Sequence, residues 1–195
     1  MSTVSTGRPG RPAAAAREDV LALAADRFFA GERVDMQGIA RELGLARATM
    51  HRWFGTREVL LGEMLAKLAE DRLALIRSQT SATGARGLLD CFDRFSRNLT
   101  ATKGLGVWLG QEQERALRIL TSSGGIVQPR VVAAIERLID AEVQAGTYVP
   151  TLAPPTLAYT LVRLGESFIY NDAMFGIRGD TQRLREVDAA LLGVD

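Results

Sequence analysis

Residues Asp35–Glu58 read DMQGIARELGLARATMHRWFGTRE, and the folding of this stretch decides the rest. Met36, Ile39, Ala40 and Leu43 recur at helical spacing, so a short first helix has one apolar face. Asp35 sits where a side-chain oxygen caps the helix start. Gly44 sits where a left-handed residue closes its end, a conformation that suits glycine because it lacks a Cβ. Leu45 returns to the core, and a second helix is expected from about Arg47 to Trp53. Two short helices joined by a tight glycine-containing turn make a helix-turn-helix.

The chemistry lies on the second helix. Met50 and Phe54, four apart, face the core with Ile39 and Leu45 and leave Arg47, Thr49, His51, Arg52 and Trp53 for the other faces. A guanidinium donates two bonds to guanine, and a threonine bonds a phosphate or packs on a thymine methyl. These five residues, with Gln37 in the preceding helix, are the expected DNA contacts. The plainer reading is a capped amphipathic helix whose Trp53 packs on its neighbour. An imidazole and an indole beside two guanidinium groups weigh against it.

From the apolar helix at Val20 to Ala30, through IARELGLARATMHRWF, to TREVLLGEML, the sequence resembles the TetR family of one-component transcriptional regulators. The residues that carry the resemblance are Ile39 and Ala40, the turn Gly44–Leu45, and the run Thr49, Met50, His51, Arg52, Trp53 and Phe54. It covers about a quarter of the chain. Two positions depart from the family pattern: His51 stands where Tyr is usual, and Gly55 where Pro is frequent. The first bears on base preference, the second on the backbone alone.

At 195 residues the chain buries a sizeable core without staples, and 47% hydrophobic with 24% charged residues is ordinary for a folded soluble protein. A net charge of +1 means that affinity for nucleic acid must come from local clustering. Residues 1–60 hold nine Lys+Arg against seven Asp+Glu, too small an excess to argue from, so placement carries the point. Arg41, Arg47, Arg52 and Arg57 surround the turn. A single Cys91 excludes an internal disulfide and offers no zinc spacing. Neither a run of eighteen apolar residues nor an apolar leader is present, so a cytoplasmic protein without a membrane partner is expected. The one imidazole, His51, belongs to the DNA-facing helix, and Cys91 lies in an apolar one. With no phosphate loop or nucleophile elbow, neither an enzyme nor a cofactor is expected.

Along the chain, periodicity predicts an all-α protein of about nine helices in three parts. Residues 1–12 form a basic arm whose GRPGRP places Arg8 and Arg11 on extended backbone. Such a segment suits a narrow A·T-rich minor groove, and equally a loose solubilising tail. Residues 13–57 form the helix-turn-helix domain. Residues 58–195 form a helical domain, which the resemblance implies is a ligand-binding and dimerisation domain, with one helix expected over Val107–Leu120 after a break at Thr102–Gly106, and another starting at Pro129. Arg163 and Glu166, three apart in a late apolar helix, are placed to pair within the chain or across subunits.

The resemblance implies more. It places Arg57 near the family's phosphate-contacting lysine. It implies an effector pocket among the middle helices, with Phe92, Phe95, Trp108 and Tyr159 as walls and Asn98, Gln111 and Glu112 as polar contacts. It implies a four-helix dimer seam from the last two helices, here with Leu157, Leu161, Leu164, Phe168, Leu184, Val187 and Leu191; the alternative is that these helices complete the monomer core. The C-terminal segment is similar to a subgroup linked to lactone quorum-signal metabolism, which makes an acyl lactone one candidate effector. The expected partners are double-stranded operator DNA, a small-molecule effector and a second copy of the chain. The alternatives are an all-helical small-molecule binding protein with a vestigial DNA-binding domain, and a DNA-architectural protein led by the arm.

Overall fold

The computed structural model describes residues 15–174 and 179–194, and every regular element among them is helical. Helices α1 (Arg17–Ala30), α2 (Met36–Glu42) and α3 (Arg47–Phe54) form a compact unit, and α4 (Arg57–Ser78) leads out of it. Helices α5 (Gly84–Ala101), α6 (Lys103–Gln111), α7 (Gln113–Thr121), α8 (Val127–Gln144), α9 (Pro154–Met174) and α10 (Thr181–Leu192) build the remaining bundle. Arg8 and Arg11 lie outside the described residues.

Local signals explain the helix-turn-helix. Asp35 accepts from the N–H groups of Gln37 and Gly38 at 3.3 and 2.8 Å, satisfying two donors at the start of α2. Gly44 has φ 64°, and the Leu45 N–H donates to the Ala40 carbonyl at 2.8 Å to close the helix end. Thr56 caps α4 by accepting from the Val59 N–H.

The middle of the chain departs from the spacing. The predicted helix over Val107–Leu120 is two helices, and the predicted break at Thr102–Gly106 shrinks to Thr102 alone, so the described residues form ten helices where about nine were expected. Lys103–Gly106 instead opens α6, because Gly104 lets that helix lie against the end of α1. A Cβ at Gly104 would stand 1.8 Å from the Phe28 carbonyl oxygen. The interruption moves to Glu112, whose backbone (φ −130°, ψ 42°) separates α6 from α7. Helix α8 begins at Val127, so Pro129 occupies its first turn, where a missing N–H costs no intrahelical bond.

Two apolar clusters form the core, and α4 runs through both. The first joins Val20 and Phe28 of α1, Ile39 of α2 and Met50 and Phe54 of α3 to Leu60 and Met64, and continues into Leu105, Trp108 and Leu109 of α6. The second gathers Leu73 and Ile76 of α4 with Leu88, Phe92, Ile135, Ile139 and Leu157. At the far end the buried Glu142 accepts from the Gly84 N–H at 2.7 Å and from Thr147 Oγ1 at 2.6 Å, and pairs with Arg77. Burial alone would raise its carboxyl; these three partners outweigh burial and hold it below the usual range. That cluster ties α4, α5 and α8 together.

Three residues expected in a dimer seam, Leu157, Leu161 and Leu184, are buried inside the subunit. The reason is packing: α9 lies on α8, and α10 on α5, so the neighbours within the chain already cover these side chains. Leu164, Phe168, Val187 and Leu191 remain half-buried. Arg163 and Glu166 pair within α9 at 2.7 Å.

Candidate nucleic-acid interface and effector cavity

The α2–α3 unit presents an open groove lined by Gln37, Arg41, Arg47 and His51, among others. Arg47, His51 and Arg52 are exposed, while Met50 and Phe54 beneath them are buried and fix the orientation of α3. Thr49 and Trp53 are half-buried; the indole stands edge-on to Phe54, with ring centroids 6.5 Å apart. Arginine partners divide sharply. Arg17 pairs with Glu63 at 2.7 Å and stacks 4.8 Å over Phe54, and Arg27 pairs with Glu42 at 2.6 Å. Among the described residues, no carboxylate lies within ion-pair distance of Arg41, Arg47 or Arg52.

Arg57 corrects an expectation. Its side chain lines one edge of the groove, but its guanidinium is largely covered and turned to partners within the protein. It donates to both oxygens of Glu112 at 2.7 and 2.8 Å, and its Nε donates to the Val34 carbonyl at 2.7 Å. The Arg57 hydrogen bonds are the main cause holding Glu112 below the usual carboxylate range. Glu112 was read as an effector contact; it serves instead as a clamp between the α6–α7 junction and the start of α4. Cutting this pair has a defined expected result. Arg57→Ala leaves the half-buried Glu112 carboxylate with only its longer contact to Arg115 at 3.2 Å, and chemical denaturation should show a loss of about 1–3 kcal/mol. Arg57→Lys should recover only part, since an ammonium cannot reproduce the two-pronged bond. A loss under about 0.5 kcal/mol would class the contact as an ordinary surface pair.

A second feature lies in the bundle. An outer chamber of about 290 Å³ sits between α4 and α5, with Phe28 and Phe29 of α1, Leu65 and Leu68 of α4 and Leu105 of α6 in its walls. An inner chamber of about 60 Å³ lies deeper, between α5, α8, α9 and α10. Both chambers share Phe95, Leu99, Leu120, Val127, Val131 and Tyr170, so they adjoin at these side chains. The outer one is apolar with Arg72, Asp71 and Asn98 among its polar members, a composition suited to a small organic molecule.

Of the seven residues expected in the pocket, three line these chambers: Phe92 the inner, Phe95 both, and Asn98 the outer. The other four do not. Trp108 packs edge-on against Phe28 with centroids 5.9 Å apart. Gln111 is exposed at the end of α6, Glu112 holds Arg57, and Tyr159 is 47% exposed on the outer face of α9. Sequence reading missed Gln128 and Asp188, both buried and both lining the inner chamber. Asp188 left a signal, because it falls four residues from both Leu184 and Leu192 and so lies on the apolar stripe of α10. Gln128 left none, since it precedes Pro129, where the next helix is expected to start. Cys91, fully buried, has its thiol pushed up to about 11 by desolvation, which removes it as a nucleophile.

Residues 83–193 match the family described as tetracyclin repressor-like, C-terminal domain. Among solved structures, the chain is similar to the transcriptional repressor QsdR of the TetR family from R. erythropolis. The two are 29% identical, with 91% of this chain and 94% of that chain covered and a TM-score of 0.82. It shares its fold with the fatty acid degradation regulator FadR from Bacillus halodurans (19% identity, 90% and 94% covered, TM-score 0.56). It does so too with the transcriptional regulator FadR from Bacillus subtilis, solved with stearoyl-CoA (13% identity, 90% and 96% covered, TM-score 0.55). No curated protein gave a significant match. A family match over more than half the chain, joined by agreement of the whole fold, makes this protein a member of the TetR family of transcriptional regulators.

Proposed function

We propose that this regulator is a homodimeric repressor, released from a palindromic operator by a small apolar or amphipathic effector. The observation that carries the DNA-reading part is the division among arginines. Around the helix-turn-helix, Arg17, Arg27 and Arg57 are engaged by carboxylates, while Arg41, Arg47 and Arg52 stand exposed at the α2–α3 turn with no carboxylate within ion-pair distance among the described residues. Free guanidinium groups on a helix held by buried Met50 and Phe54 suit a major groove. Arg47, Thr49, His51, Arg52 and Trp53, with Gln37, form the proposed reading set, and Arg8 and Arg11 the proposed arm contacts. In a two-fold dimer, two such helices read half-sites one helical turn apart or a multiple of it.

The effector part follows from where the outer chamber lies. Phe28 and Phe29 of α1, and Leu65 of α4, line it, and α4 continues from α3 through Gly55 and Thr56. A ligand seated there favours one spacing of α1 and α4 over another, and hence one spacing of the two recognition helices. A coupling of roughly 1–3 kcal/mol is ordinary for such selection between states.

Selection of bound DNA from a random duplex pool at near-physiological salt tests the reading. Recovery of one palindromic motif is expected, and recovery of none by folded protein would refute it. Arg52→Ala should then weaken the selected site by about 5- to 150-fold, the discrimination a base contact supplies. Its effect on random DNA should be several-fold smaller. Equal losses on both would reduce Arg52 to a phosphate contact.

A further inference from the structure

The inner chamber contains two unmet polar groups. Gln128 and Asp188 are each 3% exposed, both line the chamber, and neither Gln128 Nε2 nor Asp188 Oδ1 has a hydrogen-bond partner among the described residues. Buried polar groups in folded proteins are nearly always paired, and those that are not point to a role. One of these atoms is a donor; the other belongs to a carboxyl, which accepts when ionised and donates through its proton when neutral.

The surrounding charges narrow the partner. Arg163 is held by Glu166 and by the Thr121 carbonyl, and Arg185 by Asp90 and Asp93. An anionic head would therefore meet the carboxyls of Asp188 and Glu166 in the chamber wall, with the nearby guanidinium groups already engaged. A cationic head would suit Asp188 but turn donors toward the Gln128 amide N–H, leaving that group unmet. Burial, and then the charge of Asp93, push the Asp188 carboxyl up to about 7, so a neutral partner asks the least of it. The outer chamber offers apolar walls from Leu65, Leu68 and Leu105 for a chain attached to such a head.

We infer that the inner chamber recognises the uncharged head of an amphiphile that carries a carbonyl acceptor for Gln128 beside an N–H or O–H donor for Asp188, its alkyl chain lying in the outer chamber. An amide is the simplest such head. The inference rests on reading this cavity as the effector site.

The test is displacement of the apolar fluorophore N-phenyl-1-naphthylamine from the purified full-length chain by decanamide, decanoate and decylamine at neutral pH. These three share a chain length and differ in head charge. Decanamide should displace the probe at a concentration at least tenfold lower than the other two. In Gln128→Met and in Asp188→Ala, both checked for helical content, that preference should shrink to within threefold. Displacement by decanoate or decylamine equal to that by decanamide overturns the head-group assignment while the cavity reading stands. So does a preference that survives in both variants. Failure of the wild-type protein to take up the probe at all overturns the cavity reading, and the assignment with it.

Discussion

Gly104→Ala should destabilise the protein by about 3 kcal/mol, the upper part of the range for overpacking a rigid contact. The added Cβ would meet the Phe28 carbonyl oxygen at 1.8 Å and its carbon at 2.8 Å. These are backbone atoms of α1, so no side-chain rotation relieves the clash, and α1 and α6 must separate. The sign makes the experiment decisive. In an open helical position, glycine to alanine stabilises by up to about 1 kcal/mol through helix propensity. Gly106 and Gly110 lie on the same helix with no heavy atom within 4 Å of the equivalent Cβ, so they supply internal controls. Urea denaturation should show Gly110→Ala neutral or stabilised and Gly104→Ala strongly destabilised. Equal stabilities would mean that α6 does not lie against α1 in this way. Since the α1–α6 contact also borders the outer chamber, a folded Gly104→Ala variant should respond less to an effector than the wild type.

Asp188→Asn should stabilise the protein at pH 8 by about 2–4 kcal/mol, an order-of-magnitude figure from about 1.4 kcal/mol per pKa unit. The folded carboxyl titrates near 7, raised first by burial and then by Asp93, whereas an unfolded aspartate titrates near about 3.9. Below about pH 4 both states hold the proton, so the residue contributes nothing. Between about 4 and 7 the unfolded chain releases the proton and the native state keeps it, so stability falls as pH rises. Above about 7 the penalty is complete. Glu166, raised to about 7 mainly by burial, adds a slope of the same sign. Glu112 and Glu142, held low by their partners, act in the opposite sense, stabilising at neutral pH and losing that contribution as pH falls. The difference curve between wild type and Asp188→Asn therefore isolates one residue. It should be near zero at pH 4 and grow toward pH 8, and a flat difference would show Asp188 to be fully solvated or paired. A carboxyl that lowers stability at neutral pH fits a residue kept for binding.

Local rules carried much of the architecture. The α2 cap at Asp35, the left-handed Gly44, the α4 cap at Thr56 and the α10 cap at Asp180 each depend on atoms within a few residues, so they are legible in the chain itself. So is the exposed set Arg47, His51 and Arg52, because Met50 and Phe54 at i, i+4 leave only those faces outward. Gly55 was legible only as a departure; its φ of 67° is one that proline cannot adopt.

Tertiary structure decided everything that depends on which partner arrives. An apolar stripe states that a face is covered, not what covers it, so Leu157, Leu161 and Leu184 read as a seam and prove to be core. An arginine beside a DNA-binding helix states a charge, not its direction, and Arg57 turns to Glu112, 55 residues further along the chain. Gln128 and Asp188 share one chamber only because α8 and α10 meet there with α5 and α9. The period of a helix is set by its own hydrogen bonds and can be read one residue at a time, whereas pairing across the bundle is set by packing many distant side chains at once.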